Sequence, residues 1–266
     1  MKYLPILILI IFASCKNNNK KWQVSETLDL GDITPIGLSF EGEKLWLADG
    51  DHNQIVAIDL EGKVLQTLKD FERPMHLDSE EQTVYIPEYG SDNIVKLQNG
   101  KRTILEIPDS LDAPAGVDVF GKEIAIADFY NHRIVFFDEN KWLTFGKEGK
   151  MKGELYYPTD VNIGKDKIFV ADAYNNRVQV FDKKGNVLTT MGENEKMNAS
   201  TGIFANENEI LITDFENNRV LVYNHQGKLQ QVISEGINKP TDILIENNVL
   251  YIANYKGKNI IKMKKK

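Results

Sequence analysis

Cysteine is nearly missing from this chain. The single one, at position 15 of 266 residues, rules out an intrachain disulfide and any paired-thiol metal site. Positive charge is also in deficit: 32 Lys and Arg stand against 39 Asp and Glu, for a net charge of −7. Nucleic-acid binding needs clustered cations to displace phosphate counterions, so no nucleic-acid partner is expected. The one basic run, residues 262–266 interrupted by Met263, reads as a solvated strand end. No apolar stretch reaches the roughly twenty residues of a spanning helix. Phosphate-cradling Gly loops, a His-Glu-x-x-His unit and a nucleophile elbow are all lacking, and no sustained helical period runs through the chain.

The apolar stretch that does exist lies at the start. Lys2 precedes an apolar run over residues 4–13, followed by Ser14 and Cys15, the layout of a secretory signal expected to occupy residues 1–14. Phe12-Ala13-Ser14-Cys15 resembles a bacterial lipobox, which implies that Cys15 is lipidated and becomes the first mature residue. Residues 15–21 are polar and without apolar period, a tether. Similarity to lipoprotein sorting signals, with Lys16 after the cysteine, implies the outer membrane and its periplasmic leaflet. The membrane is then met only through the lipid anchor, and a single domain is expected over residues 22–266.

Internal repetition dominates that domain. A short apolar strand ends in a polar residue six times, at Asp49, Glu88, Asp128, Asp172, Asp214 and Asn254, with separations of 39, 40, 44, 42 and 40 positions. Fourteen residues before each stand Pro35, Pro74, Pro114, Pro158, Ser200 and Pro240. Five residues after each stand Gln54, Asn93, Arg133, Arg177, Arg219 and Asn259. Each copy divides into short β-branched or aromatic segments separated by Gly, Asn and Asp turns. Four short antiparallel strands per repeat predict an all-β, six-bladed β-propeller. The sixth copy lacks a fourth strand, and residues 22–28 form a spare one, so the ring is expected to close by pairing that strand with the last blade, removing two edges.

The segment Asp128-Phe129-Tyr130-Asn131-His132-Arg133 within residues 124–138, and its counterparts in 168–182 and 210–223, resemble NHL repeats. The resemblance implies the six-bladed fold over nearly all of the chain after residue 22.

Residue types present in blade after blade read as structural. Asp128, Asp172 and Asp214 are expected to accept N–H bonds in the loop that follows. Asn131, Asn175 and Asn217 are expected to take left-handed backbone, and Arg133, Arg177 and Arg219 to fork onto a neighbouring blade. Function is sought where the copies differ. Two residues after the proline position stand Gly37, His76, Gly116, Asp160, Gly202 and Asp242. The even blades thus supply a pseudo-three-fold set, His76, Asp160 and Asp242, of candidate metal ligands. Turn capping by the two aspartates is the structural alternative. After the acids stand Tyr89, Phe129, Phe215 and Tyr255, with Tyr130 and Tyr174 one residue further in their loops, a candidate aromatic binding surface at the same mouth of the channel.

Two function classes follow. The leading expectation is a monomeric, non-catalytic binding or scaffolding propeller that recognises an envelope protein, peptide or glycan, without a cofactor. The alternative is a metal-dependent enzyme. NHL-like amidating lyases hold a metal through axial histidines, and related lactonases hold calcium through axial Asp, Asn and Glu, which implies Zn or Ca near His76, Asp160, Asp242, Glu88 and Asn254 here.

Overall fold

The structure, a computed structural model, describes residues 20–266; the expected signal segment and Cys15 lie outside the described residues. Six antiparallel sheets of four strands follow one another along the chain. Blade 4 is typical, with strands Pro158–Ile163, Lys167–Asp172, Arg177–Asp182 and Val187–Met191, hydrogen-bonded in sequence order. Blade 6 has three strands of its own, ending in Asn259–Lys265, and takes its fourth from the N-terminal strand Trp22–Asp29. Trp22 pairs with Lys265 and Asp29 with Asn259, so the ring closes as the sequence predicted. The protein is a six-bladed β-propeller.

The core consists of six apolar clusters, each filling the gap between two neighbouring blades. Leu38, Leu47 and Val56 of blade 1 meet Tyr251 and Ile260 of blade 6 across the closure seam. Ile126 and Val117 of blade 3 meet Ile94 of blade 2. The second strand of every sheet is covered on both faces, which is why it reads as a short continuous apolar run rather than as an alternating one. Among the described residues no helix is long and apolar enough to cross a membrane.

Chain direction defines two faces. The upper face carries the turns between second and third strands and the connectors into each first strand. The lower face carries the remaining turns and both ends of the closing pair, Trp22 and Lys265.

Candidate functional site

The repeated polar residues lock the upper loops. Asp172 Oδ1 accepts the backbone N–H of Tyr156 at 2.7 Å, while Asn175 and Arg177 donate side-chain N–H groups to the same carboxylate. Asp128 and Asp214 do the same for Asp112 and Asn198. The N–H they accept therefore belongs to the connector before the blade's first strand, not to the loop after its second. Each arginine binds its own blade's acid first, and its outer nitrogen donates to connector carbonyls such as Ser110 and Met151; Arg177 alone among the three also meets a carboxylate of the connector into the next blade, Glu193 at 3.9 Å. The left-handed position is one residue later than expected, at His132, Asn176 and Asn218, because Asn131, Asn175 and Asn217 spend their side chains on the acid. The left-handed residue accepts the N–H before the next blade's first strand: Tyr157 N–H to His132 Nδ1 is 3.0 Å, and Ala199 N–H to Asn176 Oδ1 is 2.9 Å.

The axial position has a local cause. In blades 4 and 6 the first strand bulges between Pro158 and Asp160 and between Pro240 and Asp242, and a bulge re-aims the next side chain. A Cβ on Gly202 would lie 2.5 Å from the Thr241 carbonyl oxygen and 2.9 Å from Asp242 Cα, and Gly37 and Gly116 are equally close to blades 2 and 4. Odd blades carry glycine because the next even blade's backbone occupies the space. Asp160 Oδ2 accepts Ile203 N–H and Asp242 Oδ2 accepts Leu38 N–H, both at 2.8 Å, and each carboxylate also accepts the N–H of its own following residue.

His76, Asp160 and Asp242 do converge, all buried, with candidate ligand atoms within 4.8 Å of one another. His76 Nδ1 is 3.6 Å from Asp242 Oδ2 and 3.8 Å from Asp160 Oδ2, too long for hydrogen bonds, and it has no hydrogen-bond partner. Burial lowers the His76 pKa, but the two carboxylates outweigh it and the net shift is upward. Burial pushes Asp160 up to about 7. One imidazole nitrogen and two carboxylate oxygens could supply three of the four positions of a tetrahedral zinc-type site. Calcium would need six to eight oxygens, and Glu88 and Asn254 are committed to locking loops, accepting from Glu72 and Asn238.

Below this triad lies a second axial ring that sequence reasoning missed: Ser39, Asp78, Asp118, Asn162, Phe204 and Leu244. All six stand four residues after the proline position, so the column was there to be read. Asp78 Oδ2 accepts Val119 N–H and Asp118 Oδ2 accepts Ile163 N–H, each from the following blade. Burial pushes Asp78 up to about 6, and burial followed by the Asp78 charge raises Asp118 well above the usual carboxylate range. The triad and this ring line one chamber of about 200 Å³, whose other residues run down to Glu246.

None of the candidate aromatic residues lines that chamber. They separate into two groups on the upper face. Tyr89, Phe129, Tyr130 and Tyr174 join Tyr156 and Tyr157 in a continuous network with ring centroids 4.6–6.2 Å apart. Phe215 and Tyr255 form a separate pair at 6.2 Å. The triad and the aromatics therefore do not share a cavity. Tyr156 and Tyr157 were missed because they sit in the blade 4 connector, the longest repeat, where no other blade offers an aligned aromatic.

A family model described as "6-bladed beta-propeller" matches residues 148–234. A gluconolactonase from Xanthomonas campestris is 12% identical with a TM-score of 0.74, over 92% of this chain and 95% of that one. A catalytically inactive virginiamycin B lyase from Staphylococcus aureus, solved with quinupristin, is 16% identical with a TM-score of 0.67, over 92% and 99%. The WD40 β-propeller domain of Doa1 is 14% identical with a TM-score of 0.67, over 92% and 97%. The search of curated proteins finds no match. At these identities the likeness is one of fold, which enzymes and binding domains share: this chain is similar to other β-propellers.

Proposed function

We propose that this chain is an NHL-type binding propeller, anchored at the cell envelope, that recognises a protein or peptide through the upper face of blades 2–4. One observation carries the reading: six aromatic rings touch one another across three blades, with Tyr130 and Tyr174 47% and 60% exposed. Loop-tip aromatics left in water mark interaction surfaces. Around them stand Arg73, stacked 4.8 Å over Tyr89, and Met151, 71% exposed. Tyr, Met and Arg are the residue types enriched in protein interfaces. The tilted, edge-to-face rings make a ridged surface, which suits side chains better than it suits the flat face of a sugar.

The topology supports an orientation as well. Residues before Trp22 leave from the lower face, so lipidation at Cys15 would hold that face toward the membrane and present the aromatic surface away from it. An outer-membrane anchor facing the periplasm would display the platform to envelope partners. A photo-crosslinking residue at Tyr174 in the full chain should yield one discrete protein adduct. The same probe at Leu65, exposed on an outer strand, should yield none. Equal labelling from both positions, or no adduct at Tyr174, refutes the reading.

A second reading, a metal-dependent lyase or lactonase-type enzyme, is favoured by the unpartnered His76 Nδ1. On that reading His76, Asp160 and Asp242 hold a zinc-like ion that can activate water. Purified protein should then carry near-stoichiometric metal, and His76→Ala should lose it; negligible metal in the wild type removes this alternative.

A further inference from the structure

The lower mouth of the channel is built differently from the aromatic face. The chamber beneath the triad continues into a vestibule of about 540 Å³ walled by Val119, Phe120, Ile163, Phe169 and Phe204. The two spaces share Asp78, Ser79, Asp118, Asn162 and Phe204 as a neck. The size falls within the roughly 300–1,000 Å³ of small-molecule sites, and an apolar wall with a few convergent polar groups is their usual composition.

We propose that this lower mouth is a binding site for a small organic cation, an ammonium head on an apolar body of about six to eight carbons. The neck decides the sign of the ligand. Asp78 accepts from Ser39 Oγ and Val119 N–H, and Asp118 accepts from Asn162 Nδ2 and Ile163 N–H. All four donors are neutral, and among the described residues no Lys, Arg or His forms an ion pair with either carboxylate. Each carboxylate oxygen accepts one such bond and keeps a second lone pair. A buried carboxylate without a counter-charge is costly and is driven toward its protonated form, and an ammonium in the neck supplies the charge and the donors that hold it ionised. Deeper in the same chamber, His76 Nδ1 is unpartnered although the residue is only 4% exposed, so the polar lining is not satisfied by the protein alone.

The walls decide the rest. Phe120 is half exposed at the vestibule, and the ammonium of Lys183 already lies 5.5 Å from its ring centroid, so a cation over this face has a counterpart in the protein itself. The rim mixes Lys165 and Lys167 with Glu80, Asp166 and Glu207 and selects neither sign. An anion would meet Asp78 and Asp118 in the neck, with Asp160 and Asp242 behind them.

The site lies on the opposite face from the aromatic platform, so the two proposals stand or fall separately. Isothermal titration of the full chain at neutral pH with hexylammonium, hexan-1-ol and hexanoate tests it. Hexylammonium should bind about ten-fold tighter than hexan-1-ol, and hexanoate not at all. Asp118→Asn and Asp78→Asn should each erase the preference for the amine. Phe120→Ala, at a half-exposed position that folding tolerates, should weaken amine and alcohol alike. Tyr174→Ala should change neither. Equal affinity for amine and alcohol overturns the proposal, as does wild-type protein that binds no hexylammonium.

Discussion

Blades 4 and 6 solve at the axis the same problem as blade 2, by a different route. Each even blade must be stitched to the odd blade that follows it. In blades 4 and 6 the stitch is a side chain: Asp160 reaches Ile203 N–H and Asp242 reaches Leu38 N–H. In blade 2 it is main chain. His76 N–H donates to the Ala115 carbonyl, and Val117 N–H donates to the His76 carbonyl, both at 3.1 Å. Asp78 then supplies the carboxylate bond one level lower, at Val119. Position 76 is thereby released from the structural duty that fixes its two counterparts. A residue present at one aligned position can be explained in two blades and remain unexplained in the third, and the third is where chemistry can be placed.

The largest effect that would break this comparison is expected at Asp242. Asp242→Ala leaves the buried N–H groups of Leu38 and Ile243 without partners at the closure seam. At about 1–3 kcal/mol for each of the two unsatisfied groups, a loss of about 2–6 kcal/mol is expected, read from chemical denaturation. A cost below about 1 kcal/mol would mean that the carboxylate does not carry the stitch. Next comes the glycine half of the alternation. Gly202→Ala drives a methyl group into the Thr241 carbonyl, a backbone contact that cannot swing aside, and should cost about 1–3 kcal/mol. Alanine tolerated there without loss would show that the odd-blade glycines answer to something other than the neighbouring backbone.

Much of this architecture is legible in the amino-acid sequence. The paired offsets of proline and acid mark six blades, and the unfilled fourth strand of the last copy, with a spare strand at residues 22–28, marks the closure. Residues with an equivalent in every blade can be aligned, so His76, Asp160 and Asp242 fall together. What the alignment hides is direction. Whether Arg177 reaches its own acid or a neighbour's depends on where the connector folds back, and no spacing reports that. Nor does spacing report that the chamber under the triad opens downward while the aromatics face up. Tyr156 and Tyr157 escape because their equivalents just before the proline position in other blades, such as Asp112, Asn198 and Ala199, are not aromatic.

Proton linkage gives a smaller, directional test. Asp160 and Asp78 have folded-state pKa values raised to about 7 and about 6 from 3.8, so the folded protein keeps protons that the unfolded chain releases above about pH 4. Stability therefore falls as pH climbs through that interval. His76, raised above 6.5, acts in the same sense: its contribution is complete below the unfolded value and is lost as pH rises through the folded one. Going from about pH 5 to about pH 8 should lower Tm by roughly 5 °C. Asp160→Asn should flatten the profile. A Tm that rises over this range would mean the axial carboxylates are charged and compensated throughout.

The smallest expected effect is the sharpest, because it isolates the side chain of blade 2. His76→Gln keeps the main-chain bonds to Ala115 and Val117, and the wild-type Nδ1 has no hydrogen bond to lose. At an alkaline pH above the raised folded pKa of His76, where the imidazole is neutral, the variant should lie within about 1 kcal/mol of wild type, well short of the loss in Asp242→Ala. At about pH 5 the imidazolium stands 3.6 Å from Asp242 and 3.8 Å from Asp160, and wild type should pull ahead as the neutral amide fails to match its charge. Denaturation of both proteins at the two pH values decides it. If His76→Gln costs as much at the alkaline pH as Asp242→Ala, the histidine is a structural stitch like its counterparts and blade 2 is not the exception. If instead the two proteins differ only at the acid end, the imidazole contributes through its charge alone, and its unused nitrogen is left available to a ligand.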